Sequence, residues 1–171
     1  DTRYLPGQFV AHYIWPHHRR MLNDFIHTVL DTIKSEVKLF YEVGVGCGMY
    51  SLKTLQKIKN TRGIGFDISE YSLNFTKNII DNANLHQRYE ILLNDIIQNK
   101  PSEKADFIIS QEVLEHLEDP QIFIDALYSS VKDNGFGYIT AAINAGHTDH
   151  IYLYRSPDEV EEQIHKSGWK S

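Results

Sequence analysis

Apolar positions along the chain switch repeatedly between two spacings. Residues 21–33 carry apolar side chains three and four positions apart, whereas residues 37–43 form a short apolar run that ends in glycines. Helical spacing resumes at Leu52, Leu55 and Ile58. This pattern predicts a helix, a buried strand, a glycine turn and a second helix, in that order.

The alternation continues to the end of the sequence. Four more short apolar runs predict strands at residues 63–67, 89–93, 106–110 and 135–142. The predicted helices are one capped by Ser69, a helical stretch from Glu112 that breaks at Pro120 and continues through Phe123 and Leu127, and a last helix with a capping box at Ser156 and Glu159. Five strands alternating with helices predict an α/β fold with a Rossmann-like, doubly wound parallel sheet, whose ligand crevice lies at the carboxyl ends of the strands.

Length and composition bound the class of protein. A chain of 171 residues suits a single domain, which we divide into an N-terminal helical cap over residues 1–34 and a core over residues 35–171. Its 17 basic and 23 acidic residues give a net charge of -6, which disfavours a nucleic-acid partner. Since the sequence shows neither an apolar stretch of about 18 residues nor a signal peptide, we expect a cytoplasmic protein without a membrane partner.

Glycines mark the end of the first predicted strand. Gly44, Gly46 and Gly48 stand at alternate positions, in a turn that lets the backbone approach a ligand closely. A dinucleotide fingerprint would need a glycine where the chain has Met49, so nicotinamide or flavin binding is disfavoured. Asp67 ends the second strand, where its carboxylate can accept hydrogen bonds from both hydroxyls of a ribose. The loop and the carboxylate together indicate a cofactor that contains a ribose.

A third part of the predicted cofactor site follows the third strand. Asp95 and Ile96 are placed there to hold an adenine, although a solvated loop aspartate is the alternative for Asp95. Taken in order, four segments resemble the motifs of the class I S-adenosylmethionine-dependent methyltransferases: FYEVGVGCG, GIGFDIS, LLNDI and FIISQEVLEHLEDP. The resemblance covers about residues 40–169 and implies an enzyme that transfers a methyl group.

The resemblance also implies a place for each cofactor-binding residue. Gly44, Gly46 and Gly48 would pass under the methionine part of S-adenosylmethionine. The other cofactor residues would be Glu42 at the amino group, Asp67 at the ribose with Ile68 next to it, Asp95 and Ile96 at the adenine, and Gln111 at the sulfonium end. The family's sixth and seventh strands have no counterpart in the sequence, so the chain would continue further or complete its sheet in another way.

Acidic residues and histidines near the predicted methyl donor suggest how an acceptor is activated. An oxygen acceptor must be aligned with the methyl group and lose a proton, to a base or with the help of a metal. Glu112, Glu115 and His116 have the spacing of one helix face, and His150 follows the fifth strand, so these residues predict a site for manganese, magnesium or iron(II). The set resembles that of the ubiquinone-pathway O-methyltransferases and, with Asp149, that of the small-RNA 2′-O-methyltransferases.

Three interpretations of this set stay open. The residues bind a metal, or His150 acts as a base without a metal, or the residues are structural. His116 and His147 are the further candidates for a catalytic histidine. Tyr13 and Trp15, in an aromatic run ahead of the first strand, are predicted walls of the acceptor pocket, with a packing cluster as the alternative.

The predicted function is S-adenosylmethionine-dependent O-methylation of a small-molecule metabolite. Three alternatives are kept: a metal-dependent RNA ribose 2′-O-methyltransferase, an N-methyltransferase of a small molecule, and an inactive cofactor-binding partner subunit. The acidic net charge speaks against the RNA alternative.

Overall fold

Five parallel strands form the centre of the computed structural model, which describes residues 3–146 and 148–170. The strands are β1 (Leu39–Val43), β2 (Arg62–Asp67), β3 (Tyr89–Leu93), β4 (Ala105–Gln111) and β5 (Val131–Thr140). Their spatial order is β3-β2-β1-β4-β5, with every neighbouring pair parallel. The predicted doubly wound sheet is confirmed, and its order reverses between β1 and β4, where such folds bind their ligands.

Seven α-helices accompany the sheet within the described ranges. They are α1 (Tyr4–Ile14), α2 (Pro16–Asp24), α3 (Leu30–Ile33), α4 (Met49–Lys57), α5 (Glu70–Asn82), α6 (Pro120–Ser129) and α7 (Pro157–Lys166). A π-helical turn over Phe25–Val29 joins α2 to α3, so the helix predicted at residues 21–33 is the later part of a longer helical run. No helix among the described residues is long and apolar enough to cross a membrane.

Two hydrophobic clusters cover the two faces of the sheet. The side chains of β1 alternate between them: Phe40 lies in one cluster, and Leu39, Tyr41 and Val43 lie in the other. All five residues of β1 are buried. A strand that is covered on both faces is mostly apolar, which is why residues 39–43 contain only one polar side chain, that of Glu42, and show no polar alternation.

The segment after β4 differs from the sequence prediction. Glu112 has a left-handed φ of 53°, so a helix does not begin there. A short 3-10 turn covers Leu114–His116, and α6 begins only at Pro120, where the Asp119 carboxylate accepts a hydrogen bond from the Gln121 amide at 3.0 Å. The predicted helix from Glu112 with a break at Pro120 is therefore wrong, because the proline starts a helix, a position that needs no amide hydrogen.

The two predicted helix caps have different outcomes. The Ser69 hydroxyl accepts a hydrogen bond from the Ser72 amide at 3.3 Å and caps α5 as predicted. At the start of α7 the Ser156 side chain makes no capping hydrogen bond, and Glu159 instead accepts one from the Arg155 amide at 3.1 Å. The predicted capping box is thus wrong, although the helix that it was used to predict is present.

Candidate active site

A cavity of about 750 Å³ opens at the carboxyl ends of β1, β2 and β4. Its floor includes the backbone from Gly44 to Cys47 together with Glu42, Asp67 and Gln111. Helix α1 covers it from above, and residues of the segments after β4 and β5 form a side wall. The volume falls in the range of sites that enclose small molecules.

The loop after β1 depends on left-handed backbone conformations. Gly44, Gly46 and Gly48 have φ values of 77°, 50° and 70°. A β-carbon would lie 2.5 Å from Val113 at Gly44 and 2.6 Å from Thr76 at Gly48. Gly44 and Gly46 line the cavity, whereas Gly48 is the N-cap residue of α4 and packs against Thr76.

Glu42 lies at the end of β1 beneath this loop. Its side chain is 3% exposed, and its carboxylate accepts a hydrogen bond from the Ser51 amide at 2.9 Å. Burial raises the pKa of Glu42 to about 8, against the opposing effect of the Ser51 hydrogen bonds. A cationic group bound next to this carboxyl group would favour its ionised form.

Asp67 ties the end of β2 to the glycine loop. Its carboxylate accepts hydrogen bonds from the Ser69 amide at 2.9 Å and from the Gly46 amide at 3.4 Å. Burial raises the pKa of Asp67, although these amides favour the charged form. The next residue, Ile68, is 78% exposed.

The structure places Asp95 and Ile96 differently from the other predicted cofactor residues. The Asp95 carboxylate accepts hydrogen bonds from the Ile97 amide and the Gln98 side chain, both at 2.9 Å. Ile96 is 1% exposed and belongs to the cluster that contains Val43. In the described part of the chain, neither Asp95 nor Ile96 borders the cavity, and Ile68 and Gly48 do not border it either.

Glu115, His116 and His150 come together on the side wall. Each offers a ligand atom, and these atoms lie within 4.8 Å of one another. The Glu115 side chain is 1% exposed, and its Oε2 atom has no hydrogen-bond partner among the described residues. Burial raises the pKa of Glu115, and the nearby Glu112 carboxylate adds to the effect. A buried carboxylate in this state requires a proton or a cation.

Backbone oxygens orient both imidazole rings. Nδ1 of His116 lies 2.9 Å from the Asp149 carbonyl oxygen, and Nδ1 of His150 lies 2.6 Å from that of Ala145. Because a carbonyl oxygen only accepts, each Nδ1 carries the hydrogen, and a neutral ring then has its lone pair on Nε2. Metal-binding histidines use this arrangement.

The segment after β5 reaches the wall through the backbone of Glu115. The amides of Ile151 and Tyr152 donate hydrogen bonds to the Glu115 carbonyl oxygen at 2.8 and 3.0 Å. These bonds place the preceding residue, His150, against His116. Sequence spacing does not reveal such contacts, because they join segments far apart in the chain.

Glu112 lies outside this group of three. Its Oε1 accepts a hydrogen bond from the Thr140 hydroxyl at 2.9 Å, and its amide donates to Thr140 at 3.2 Å. The prediction that Glu112 shares a helix face with Glu115 and His116 is wrong, since a left-handed residue and a 3-10 turn replace the helix. His147, another predicted candidate, lies outside the described residues.

Helix α1 lies within the predicted N-terminal helical cap, although the sequence analysis did not predict it as a separate helix. It lies over the glycine loop, with the Gln8 side-chain oxygen 3.7 Å from the place of a β-carbon on Gly46. Leu5, Phe9 and His12 have the spacing of one helix face, but the histidine at an otherwise apolar position obscured the signal. Of the two predicted pocket walls, Trp15 lines the cavity, and Tyr13 instead contacts Met49 through its hydroxyl at 3.9 Å.

Comparison with known proteins finds similarity to methyltransferases. A family model described as a methyltransferase domain matches residues 41–136. A malonyl-[acyl-carrier protein] O-methyltransferase of Ilyobacter polytropus is 28% identical over 100 residues, which cover 58% of this chain and 38% of that protein. A mitochondrial ubiquinone biosynthesis O-methyltransferase of Dictyostelium discoideum is 30% identical over 115 residues, which cover 57% of this chain and 34% of that protein.

Solved structures share the fold. An O-methyltransferase family protein from Burkholderia thailandensis has a TM-score of 0.79 at 14% identity, covering 99% of this chain and 55% of that one. This chain matches only part of each curated relative: 38% of the length of the Ilyobacter polytropus protein and 34% of that of the Dictyostelium discoideum protein.

Proposed function

Because the chain belongs to the class I S-adenosylmethionine-dependent methyltransferases, we propose that it transfers a methyl group to an oxygen atom of a small-molecule acceptor, with a divalent cation beside that oxygen. One observation carries this proposal: Glu115, His116 and His150 meet in the same cavity as the glycine loop. The donor and the acceptor would therefore share one enclosed space.

Several contacts support S-adenosylmethionine in the half of the cavity next to β1 and β2. The cofactor supplies an electrophilic methyl group when it is bound. Glu42 would ionise against the ammonium of its methionine part, which would follow the backbone of Gly44 and Gly46. Asp67 would accept hydrogen bonds from the ribose hydroxyls, because each carboxylate oxygen can accept a second bond beyond those from the amides. Gln111 would line the sulfonium end.

Three residues would receive the adenine end of the cofactor. Ile68 is exposed beside Asp67 and offers an apolar surface that a purine ring would cover. Asp95 has spare acceptor capacity on both oxygens, even though each already accepts one hydrogen bond. Ile96 would act through packing beneath the ring, since it is almost fully buried.

The three clustered side chains fit a divalent cation by their chemistry. Two imidazoles and one carboxylate form the ligand set of many iron(II) sites, and manganese is bound by the same atoms. A cation there would lower the pKa of an acceptor hydroxyl. Glu115 would use the oxygen that has no partner among the described residues, and the two histidines would use Nε2.

The acceptor loses a proton as its oxygen forms a bond to the methyl carbon and the sulfur–carbon bond breaks. Because Nε2 of both histidines would hold the cation, the proton would leave to solvent from the hydroxyl whose pKa the cation lowers. The products are a methyl ether or ester, S-adenosylhomocysteine and the proton. Oxygen as the acceptor atom gains support from the two curated relatives, both of which are named O-methyltransferases.

Methyl transfer from labelled S-adenosylmethionine to a panel of hydroxyl, carboxyl and amine acceptors tests the proposal. We expect activity on oxygen acceptors with manganese, its loss with a chelator, and its loss in Glu115→Gln. Glu118→Gln is the matched control, since Glu118 is exposed in the same segment. Activity on amines alone, or activity that neither the chelator nor Glu115→Gln reduces, would contradict the proposed function.

A further inference from the structure

Two histidines in the N-terminal helices line the cavity but have no role in the methyl transfer proposed above. His12 lies on α1 and His18 on α2, and the chain bends between these helices at Trp15. The bend brings the two imidazole centroids to 5.6 Å from each other. Both residues border the same cavity as the glycine loop and the Glu115 group.

His12 is buried with one ring nitrogen that lacks a partner. Its side chain is 5% exposed, and its Nδ1 donates a hydrogen bond to the Gln8 carbonyl oxygen at 2.8 Å. The lone pair of the neutral ring is therefore on Nε2. In the described part of the chain, neither Nε2 of His12 nor Nδ1 of His18 has a hydrogen-bond partner. Buried polar atoms without partners are rare in native proteins and indicate a bound water or ligand.

The electrostatic surroundings keep these rings neutral at pH 7. Burial lowers the pKa of His12, and the neighbouring His18 lowers it further. Burial also lowers the pKa of His18, as does His17, while the Glu112 carboxylate acts in the opposite direction. A neutral imidazole with an unpaired nitrogen accepts a hydrogen bond, so His12 suits a hydroxyl group better than an anion.

Aromatic rings surround the two histidines. The Trp15 ring lies 5.5 Å from that of His18, and the Tyr50 ring meets that of His12 edge to face at 5.7 Å. Trp15 and Tyr50 also line the cavity. Such walls favour a flat ring, which offers contact area and the stacked or edge-on geometries that aromatic groups prefer.

We infer that His12 and His18 bind a hydroxyl group on an aromatic acceptor, at a position of the ring away from the oxygen that receives the methyl group. The inference rests on the proposed function and narrows its acceptor to phenolic rings that carry a second hydroxyl. In this arrangement the bend between α1 and α2 holds one edge of the acceptor, and the wall with Glu115 faces the opposite edge.

Binding of matched ring compounds tests this inference. The probes are resorcinol and hydroquinone, each compared with its dimethyl ether, in the presence of saturating S-adenosylhomocysteine and a chelator. Catechol is left out because its adjacent hydroxyls chelate metals. Binding is followed by NMR titration in the wild type, His12→Phe, His18→Phe and His12→Gln. His27→Phe is the control, since His27 is exposed on the π-helical turn.

We expect one diol to bind the wild type roughly tenfold more tightly than its ether, because the ether leaves a buried nitrogen unpaired. The ratio of the ether's dissociation constant to that of the diol should approach one in His12→Phe and His18→Phe. It should recover in part in His12→Gln and stay unchanged in His27→Phe. A ratio of one in the wild type, or an unchanged ratio in both phenylalanine variants, overturns the inference and leaves a bound water as the partner. If S-adenosylhomocysteine itself does not bind, the proposed function fails and the inference fails with it.

Discussion

The imidazole rings of His116 and His150 stand edge to face, with their centroids 5.0 Å apart and their planes at 86°. Each ring donates its Nδ1 hydrogen to a backbone oxygen of the segment that follows β5. That segment thus supplies one histidine of the pair and orients both. The pair stands beside Glu115, whose carboxylate is buried.

This geometry predicts the tautomer of both rings. At about pH 9, where imidazoles are neutral, nitrogen NMR should show hydrogen on Nδ1 and none on Nε2 for His116 and His150. Added zinc, a diamagnetic probe, should shift both Nε2 signals in the wild type and have a smaller effect in Glu115→Gln. The exposed His27 provides the reference ring. Hydrogen on Nε2 of either ring would contradict the arrangement.

Asp67→Ala should weaken cofactor binding. The variant removes the carboxylate proposed for the ribose hydroxyls, so we expect the dissociation constant of S-adenosylhomocysteine to rise by about 10- to 100-fold. Asp67→Asn, which keeps one acceptor oxygen, should lose less. Asp133→Ala is the control, since the Asp133 side chain is 98% exposed. Calorimetry measures the affinities, and equal values for Asp67→Ala and the control would show that the ribose binds elsewhere.

Glu42 should make the free energy of unfolding depend on pH. Burial raises the pKa of this carboxyl from 4.5 to about 8. The folded state then holds a proton that the unfolded state releases, so this contribution is complete below the unfolded pKa and is lost as the pH rises through about 8. This contribution of Glu42 to the free energy of unfolding is at most roughly 5 kcal/mol. Urea unfolding from pH 4 to pH 9 should show a smaller loss of stability in Glu42→Gln, and parallel curves would refute the prediction.

Cofactor binding should release a proton from Glu42. The free protein holds this carboxyl largely protonated at pH 7, and a bound ammonium favours the carboxylate. The enthalpy of S-adenosylhomocysteine binding should therefore vary with the ionisation enthalpy of the buffer, with a slope near one proton. In Glu42→Gln the slope should vanish. A wild-type enthalpy independent of the buffer would mean that Glu42 stays protonated when the ligand binds.

Gly48→Ala should destabilise the fold. A β-carbon would lie 2.6 Å from the Thr76 methyl group, and φ at this position is 70°. We expect a loss of roughly 1–3 kcal/mol in the free energy of unfolding. Gly7→Ala is the matched control inside α1, since a β-carbon there has no atom within 4 Å, and alanine favours a helix over glycine. Equal stability of the two variants would show that the loop after β1 adapts freely.

The sequence by itself determined the parallel sheet and the position of the glycine loop. Buried strands, amphipathic helices and left-handed turns leave local signals, because each depends on the spacing of a few neighbouring residues. The run at residues 37–43 and the glycines after it are such signals, and the structure places a strand and a tight turn there. The same reasoning put Asp67 next to the loop, since the carboxyl ends of parallel strands share one edge of a sheet.

Only the tertiary structure decided how the wall of the cavity is assembled. The spacing of Glu112, Glu115 and His116 suits a helix. In the structure, however, Glu112 has a left-handed backbone conformation, and its side chain bonds to Thr140. His150 reaches the group because the amides after it bond to the Glu115 backbone. Such hydrogen bonds join distant segments and depend on how those segments pack, so the local pattern of residues carries no record of them.

The same holds for the cover of the cavity. His12 interrupts the apolar pattern of α1, and a buried imidazole is accommodated there only because Tyr50 and the bend at Trp15 surround it. A local pattern assigns a histidine to the surface, where most polar side chains lie. Packing between helices places this one inside, and that contact exists only in the folded chain.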